Sequence, residues 1–145
     1  MAVSVKNIEL WRTEVDNRPG SMAQVLAPLA KAGVDLQIVM GYRYPGNESK
    51  AAIEVSPIKG KRSAAAANSA GMKNTSIPTL LIEGDNRPGL GHAIAQTLAD
   101  AGINMGFLVT LVRGRNYSAV AGFETPEDAS RAATLIKKAV ARKKK

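Results

Sequence analysis

The chain contains no cysteine, few aromatic residues (4% of 145) and a single histidine, His92. Without cysteine, disulfide bonds and thiolate chemistry are excluded. One histidine without cysteines or a neighbouring acidic cluster does not make a zinc site, and no activated nucleophile is apparent for a hydrolytic triad. We therefore predict no catalytic residues, no metal site and no cofactor, and we expect a protein that is not an enzyme.

Long hydrophobic stretches are also absent. No apolar run is long enough to cross a bilayer, and the N-terminus lacks the apolar core of a signal peptide. These features predict no membrane partner and, with the cysteine-free composition, a cytoplasmic location.

Positive charge is concentrated at one end of the chain. The net charge is +8, and six basic residues lie near the C-terminus: Lys137, Lys138, Arg142, Lys143, Lys144 and Lys145. We interpret them as a solvated helix end and tail, because cations are favoured at helix C-termini. The alternative is an electrostatic contact with nucleic acid, an acidic protein or a lipid surface. We do not expect nucleic acid to be the main partner.

The most informative feature is an internal repeat. The pentapeptide Asp-Asn-Arg-Pro-Gly occurs at Asp16–Gly20 (the copy 1 loop) and at Asp85–Gly89 (the copy 2 loop). Without a gap, the same offset aligns Leu29–Asp35 with Leu98–Asn104. A repeat of this length indicates a duplicated module. We predict module 1 over residues 1–73 and module 2, with the basic tail, over residues 74–145.

Each copy has the pattern of strand, helix, strand, strand and helix. Alternating apolar residues predict strands, and apolar residues at helical spacing predict helices. The predicted strands are 8–15, 34–42, 50–55, 79–83, 103–112 and 117–123, and the predicted helices follow each loop, cover 62–70, and start at Thr125. Residues 72–77 can add a fourth strand to copy 1, whereas residues 141–145 are too short and too charged to do so in copy 2.

This order matches the ferredoxin-like split βαβ pattern. We predict an α+β fold of two βαββα(β) modules packed side by side, with helices on one face of a mainly antiparallel sheet. Modules this small have thin cores, so we also expect a homo-oligomer, most simply a dimer.

The repeated loop joins a strand to the start of a helix. Unpaired N–H groups and the helix dipole favour an anion there. Asp16 or Asn17 is expected to cap the first helix, and Pro19 and Gly20 to shape the approach. A purely structural interpretation, in which the loop only turns the chain, stays open.

Together, the apolar strand ending in Asp-Asn-Arg-Pro-Gly, the amphipathic helix and the following Ala-Gly-Val/Ile-Asp/Asn segment resemble the ACT domains. These are small modules that bind amino acids and regulate metabolic enzymes or transcription. Both copies carry the motif, so the chain looks like a stand-alone tandem-ACT protein. The resemblance implies a non-catalytic regulatory protein that binds an amino acid at module or subunit interfaces and acts on a protein partner.

The resemblance also implies site residues. In serine-binding members, the loop Asn and the Asn that opens the second strand both contact the ligand, and the candidate positions here are Asp16, Asn17, Pro19, Gly20, Asp35, Asp85, Asn86, Pro88, Gly89 and Asn104. Copy 1 departs from this pattern at Asp35, and both copies lack the histidine of such sites. Copy 2 keeps both asparagines, so we expect the stronger site there.

Two other functions stay open. One is a ligand-free regulatory or structural subunit that acts through protein or nucleic-acid contacts. The other is a stacking surface for single-stranded nucleic acid formed by Trp11, Tyr42 and Tyr44, although aromatic residues are few and copy 2 does not repeat them.

Overall fold

The computed structural model describes residues 3–141. Within this range the chain forms eight strands and four helices. In chain order they are β1 (Ser4–Ile8), β2 (Trp11–Asp16), α1 (Ser21–Lys31), β3 (Ile38–Tyr44), β4 (Asn47–Ser56), α2 (Gly60–Ser69), β5 (Lys73–Asn74), β6 (Thr79–Asp85), α3 (Leu90–Asp100), β7 (Met105–Arg113), β8 (Asn116–Phe123) and α4 (Pro126–Ala141). The tail residues Arg142 to Lys145 lie outside the described residues.

The strands form two four-stranded sheets, in the orders β3-β4-β2-β5 and β1-β6-β8-β7. Every pairing is antiparallel. The predicted α+β class with two ferredoxin-like modules is therefore confirmed. Each sheet belongs to one of two compact units.

The division of the chain differs from the predicted boundaries of 1–73 and 74–145. The unit that contains the copy 1 loop spans Glu9–Ser76, whereas the chain up to Ile8 joins the unit from Ile77 onward. The reason is strand pairing, since β1 lies antiparallel to β6, with Ser4 opposite Glu83 and Ile8 opposite Thr79. β1 thus supplies the fourth strand of the sheet that contains the copy 2 loop strand, β6.

The predicted first strand, 8–15, corresponds to β2, and only its first residue, Ile8, belongs to β1, which the sequence did not predict. β1 ends at Ile8 and β2 begins at Trp11, because the two pair with different sheets. The second predicted strand also begins later than expected, at Ile38 instead of Val34. Val34 still packs against the core from the connection that precedes β3.

Each unit buries its helices against one sheet face. In copy 1 the core includes Val25 and Leu29 of α1 with Ile53 and Val55 of β4. In copy 2 the corresponding core is larger. Its buried members are Leu80, Ile82, Leu90, Ile94, Leu98, Ile103, Tyr117, Ala119, Ala121, Phe123, Ala129, Ala132 and Ile136. Helices α1 and α3 begin directly after the two repeated loops.

The start of α4 agrees with its sequence. Thr125 accepts a hydrogen bond through its side-chain oxygen from the Asp128 N–H, at 3.0 Å. Glu127 and Asp128 lie in the first turn, where negative charge is favoured by the helix dipole.

Candidate ligand cleft in copy 1

The copy 1 loop is held against the β3–β4 hairpin. The backbone N–H of Asn17 donates to the carbonyl of Ser49 at 2.9 Å, and the Asn17 side-chain Nδ2 donates to the carbonyl of Glu48 at 2.8 Å. The side-chain oxygen of Asn17, Oδ1, takes no part in these two hydrogen bonds and can accept a hydrogen bond from a ligand. The loop is therefore positioned by the hairpin tip.

The predicted helix cap is wrong for both candidates. Gly20 occupies the N-cap position of α1, with a φ of 91°, and no side chain caps the helix. Asp16 instead bonds to Lys50 across the sheet, and Asn17 bonds to the hairpin. Glycine is favoured at Gly20 because the left-handed conformation strains other residues.

A cleft of about 290 Å³ lies beneath the copy 1 loop and the start of α1. Its walls come from the loop, the first turn of α1, and strands β3 and β4. The lining residues are Val15, Asp16, Asn17, Arg18, Ser21, Met22, Gly41, Tyr42, Arg43, Ala51, Ala52 and Ile53. We call this space the cleft. Its size suits a small molecule with one polar end.

Small residues and one flexible side chain shape the cleft. Met22 reaches from α1 across Gly41 of β3, and a side chain at Gly41 would overlap the Met22 terminal methyl group. Ala51 lies opposite Val15 in the β2–β4 pairing, and both line the cleft. The short side chain of Ala51 leaves room that a larger residue would fill.

The mouth of the cleft is charged. The Lys50 ammonium lies 2.9 Å from Asp16 Oδ1, and the Arg18 guanidinium lies 3.9 Å from Asp16 Oδ2. Arg43 lies 3.8 Å from Glu48. These five side chains carry one more positive than negative charge, which favours an anionic group at the mouth of the cleft.

The ion pair between Lys50 and Asp16 shifts the pKa of both side chains. The hydrogen bond from Lys50, and then its charge, lowers the pKa of the Asp16 carboxyl below its ordinary value. The same bond raises the pKa of Lys50. Both side chains are open to solvent, so water screens the attraction. Asp16 is thus ionised and already partnered.

The other predicted copy 1 residues lie away from the cleft walls. Pro19 and Gly20 are exposed parts of the loop and do not line the cleft. Asp35 is exposed in the connection between α1 and β3, at the opposite end of α1. An 11-residue helix is roughly 16 Å long. Asn17 and Asp35 of one module therefore cannot both contact one small amino acid.

The copy 2 loop repeats the backbone geometry of copy 1. Asp85 pairs with Asn116 at the end of β6, and the Asn86 N–H donates to the carbonyl of Arg115 at 2.7 Å. Gly89 is again a left-handed N-cap, with a φ of 84°. Pro88 in this loop is exposed, as are Asp85, Asn86 and Gly89.

Asn104 lies beyond the far end of α3 from the copy 2 loop and is exposed. Its position matches that of Asp35 in copy 1. In both copies, therefore, the loop residue and the second-strand residue that the resemblance implies can contact the same ligand only if they come from different modules.

Copy 2 differs from copy 1 at the positions that correspond to the cleft lining. Tyr117 lies opposite Gly84, as Ala51 lies opposite Val15. The Tyr117 side chain is 4% exposed, and its hydroxyl lies 3.8 Å from where a side chain at Gly91 would begin. In residues 3–141 the hydroxyl has no hydrogen bond of acceptable geometry.

Burial raises the pKa of the Tyr117 hydroxyl, and a weak, poorly aligned hydrogen bond with Thr110 lowers it in part. Thr110 lies opposite Ala119 in the β7–β8 pairing, as Gly41 lies opposite Ile53 in copy 1.

Sequence reasoning missed most of the cleft. Ser21 is 6% exposed and, with Met22, lines the cleft from α1, whereas Gly41 and Ala51 line it from the sheet. Of the missed residues, Arg18 alone carried a signal, because it belongs to the repeated pentapeptide. Ser21 and Met22 directly follow the pentapeptide, whereas Gly41 and Ala51 come from strands that only the sheet register brings together.

The aromatic residues do not form one stacking surface. Trp11 packs against the core beneath the helices. Tyr42 donates a hydrogen bond to the Glu54 carboxylate at 3.2 Å, and Arg12 donates to the same oxygen at 2.8 Å. Because Arg12 follows Trp11 in β2, their side chains point to opposite faces of the sheet. The rings of Tyr42 and Tyr44 contact each other, with centroids 6.3 Å apart, but Trp11 faces away from them, so the three do not form the predicted single stacking surface.

The remaining expectations concern metals and membranes. His92 is exposed on α3. No group of three or more His, Cys, Asp or Glu side chains in residues 3–141 is arranged to hold a metal ion. No helix among the same residues is long and apolar enough to cross a membrane.

Comparison with known proteins gives different results for sequence and for structure. No family model and no curated protein sequence matches the chain. A solved protein from Bacteroides thetaiotaomicron superposes with a TM-score of 0.73 at 13% identity, covering 90% of this chain and 88% of that one. The regulatory subunit of aspartate kinase from Thermus thermophilus superposes with a TM-score of 0.64 at 18% identity, covering 97% of each chain.

These regulatory subunits are ACT-domain proteins. The fold is that of tandem ACT domains. At such identities the likeness establishes the fold of the chain and nothing finer. Aspartate kinase from Synechocystis also matches, with a TM-score of 0.65 at 19% identity over 99% of this chain and 27% of the kinase. The chain thus matches, in fold, a part of that enzyme.

Proposed function

We propose that the chain is a non-catalytic regulatory protein that binds a small free amino acid in the cleft of copy 1. The observation that carries this proposal is the cleft itself, which opens beneath the repeated loop at the start of α1. The similarity of the fold to aspartate kinase regulatory subunits supports a regulatory role.

The chemistry of the cleft fits a zwitterion. The start of α1 favours a carboxylate, and Arg18 adds positive charge beside it. Asn17 Oδ1 and the Asp16 carboxylate are acceptors for an ammonium group. Val15, Ala51 and Ile53 offer an apolar wall for a short side chain. The predicted roles of Pro19 and Gly20 are then to shape the loop rather than to contact the ligand.

We also propose that the protein acts as a dimer or larger homo-oligomer and that it controls a protein partner. Strand β7 lies at the edge of its sheet and exposes Val109, Leu111 and Val112, the last two by 68% and 47%. An apolar edge of this kind is normally covered in a working protein. A second chain is also the means by which Asp35 would approach a copy 1 loop.

A ligand-free subunit remains the second candidate. The polar groups of the copy 1 loop have partners within the chain, since Asp16 pairs with Lys50 and Asn17 with the hairpin. A loop with these bonds holds its shape without a ligand. The two candidates differ in whether an amino acid stabilises the protein.

A thermal-shift screen of the full chain against the twenty amino acids tests the proposal. An amino acid at a hundredfold excess over Kd adds about 2.7 kcal/mol to the free energy of unfolding. Acetate and methylammonium, each carrying one of the two charged groups, serve as ligand controls and should give smaller shifts. If none of the twenty amino acids raises the melting temperature at millimolar concentration, the ligand-free alternative stands.

Matched loop variants assign the site. Asn17→Ala in copy 1 should reduce the shift that the amino acid produces, whereas Asn86→Ala, at the same position in copy 2, should leave it unchanged. Equal losses in both variants would contradict the placement in copy 1.

A further inference from the structure

The two modules differ at three positions that surround one space. In copy 1 these positions hold Met22, Gly41 and Ala51, all of which line the cleft. The repeat offset and the strand register assign Gly91, Thr110 and Tyr117 to the same places in copy 2. The large side chain has moved from the helix to the sheet, and the helix position has become glycine.

Tyr117 extends from β8 toward the first turn of α3. Its hydroxyl lies 3.8 Å from the position of a side-chain carbon at Gly91, and Thr110 is near enough to influence its pKa. The side chain is buried, and its hydroxyl has no hydrogen bond of acceptable geometry within residues 3–141. The ring of Tyr117 therefore lies where the copy 2 counterpart of the cleft would be.

We propose that the Tyr117 side chain is a built-in occupant of copy 2 that keeps this module from taking a ligand. Gly91 leaves this space to the tyrosine, because any longer side chain there would begin in contact with the Tyr117 hydroxyl, 3.8 Å away. In copy 1 the short side chain of Ala51 conversely leaves the cleft open. The inference rests in part on the proposed function, since it assigns one amino-acid site to each chain, but the filled space in copy 2 can be tested separately.

The first test uses phenol, which has the shape of the group that the full-length variant Tyr117→Ala removes. We expect a saturable site whose amide shifts appear at Gly91 and Thr110, with binding at least about tenfold tighter than to wild type. A folded variant without such shifts would overturn the inference, as would wild-type protein that shows them with Tyr117 present. If Tyr117→Ala does not fold, Tyr117→Val with phenol takes its place and is judged in the same way.

The second test moves the occupant into copy 1. The double variant Met22→Gly/Ala51→Tyr should lose the amide shifts that amino acids cause at Asn17 and keep its circular dichroism spectrum. Unchanged amino-acid binding by this folded variant would overturn the inference.

The two proposals fail differently. Amino-acid shifts at both loops of wild type would contradict the role of Tyr117 and leave the proposed function intact. Wild type that binds none of the twenty amino acids, together with phenol binding by Tyr117→Ala, would refute the proposed function and leave the internal occupant in place.

Discussion

Replacing Tyr117 by phenylalanine should stabilise the protein. The substitution keeps the buried ring and removes a hydroxyl that has no well-formed hydrogen bond in the described residues. A buried polar group without a partner costs about 1–3 kcal/mol. Since Thr110 is close enough to interact weakly, we expect the lower end of this range, a gain of about 1 kcal/mol in the free energy of unfolding.

Tyr42→Phe is the matched control, because it makes the same chemical change at a hydroxyl that has a partner. The Tyr42 hydroxyl donates to the buried Glu54 carboxylate at 3.2 Å. Tyr42 itself is 42% exposed, and Arg12 still holds Glu54, so we expect a loss of only about 1 kcal/mol. The two substitutions should therefore have opposite signs.

Urea unfolding followed by circular dichroism measures both effects, and changes in midpoint at constant slope report stability. Two destabilised variants of similar size would show that the Tyr117 hydroxyl has a good partner in solution. That result would refute our description of its surroundings.

Three further predictions concern the α4 cap, the loop ion pair and copy 2. Thr125→Ala should lower the free energy of unfolding by about 1 kcal/mol in the same urea assay, because the Asp128 N–H loses its acceptor. In an NMR titration the pKa of the Asp16 carboxyl should lie below its ordinary value, and Lys50→Met should raise that pKa. The ion pair stabilises the folded state at pH values above the unfolded-state pKa of Asp16, and this stabilisation is lost as pH falls through the folded-state pKa. Asn104→Ala should leave amino-acid affinity unchanged in calorimetry, whereas a loss of about 1–3 kcal/mol would place the stronger site in copy 2, as the sequence alone had indicated.

The repeat made most of the fold predictable. Asp16–Gly20 and Asp85–Gly89 each end a strand and precede a helix, and the structure places both loops in equivalent positions. The apolar periodicity of the helices reflects the cores that they cover. Local signals of this kind depend on residues close in sequence, so they can be recognised without knowledge of tertiary contacts.

Strand exchange at the N-terminus was not predictable from local patterns. The alternation of residues 8–15 continues past the point at which the chain leaves one sheet for the other. Glu9 and Leu10 carry no proline or glycine that would mark the change. The pairing of β1 with β6 is decided by a free edge in copy 2, which is a property of the folded unit.

The cleft was predictable only in part. Asn17 and Asp16 were identified from the motif, and both line the cleft. Ala51 and Gly41 have no chemical signature, since their contribution is the space that they leave. Tyr117 was assigned to a strand without any functional role, because its effect depends on the register that sets it opposite Gly84.

The central claim, that copy 1 binds one small amino acid, is tested most directly by an amide NMR titration of the full chain with each of the twenty amino acids. Our account predicts that at least one of them causes saturable shifts at Asn17, Arg18 and Ser21, with one equivalent bound per chain in parallel calorimetry. Saturable shifts confined to the copy 2 loop, or no shifts with any of the twenty, would contradict it.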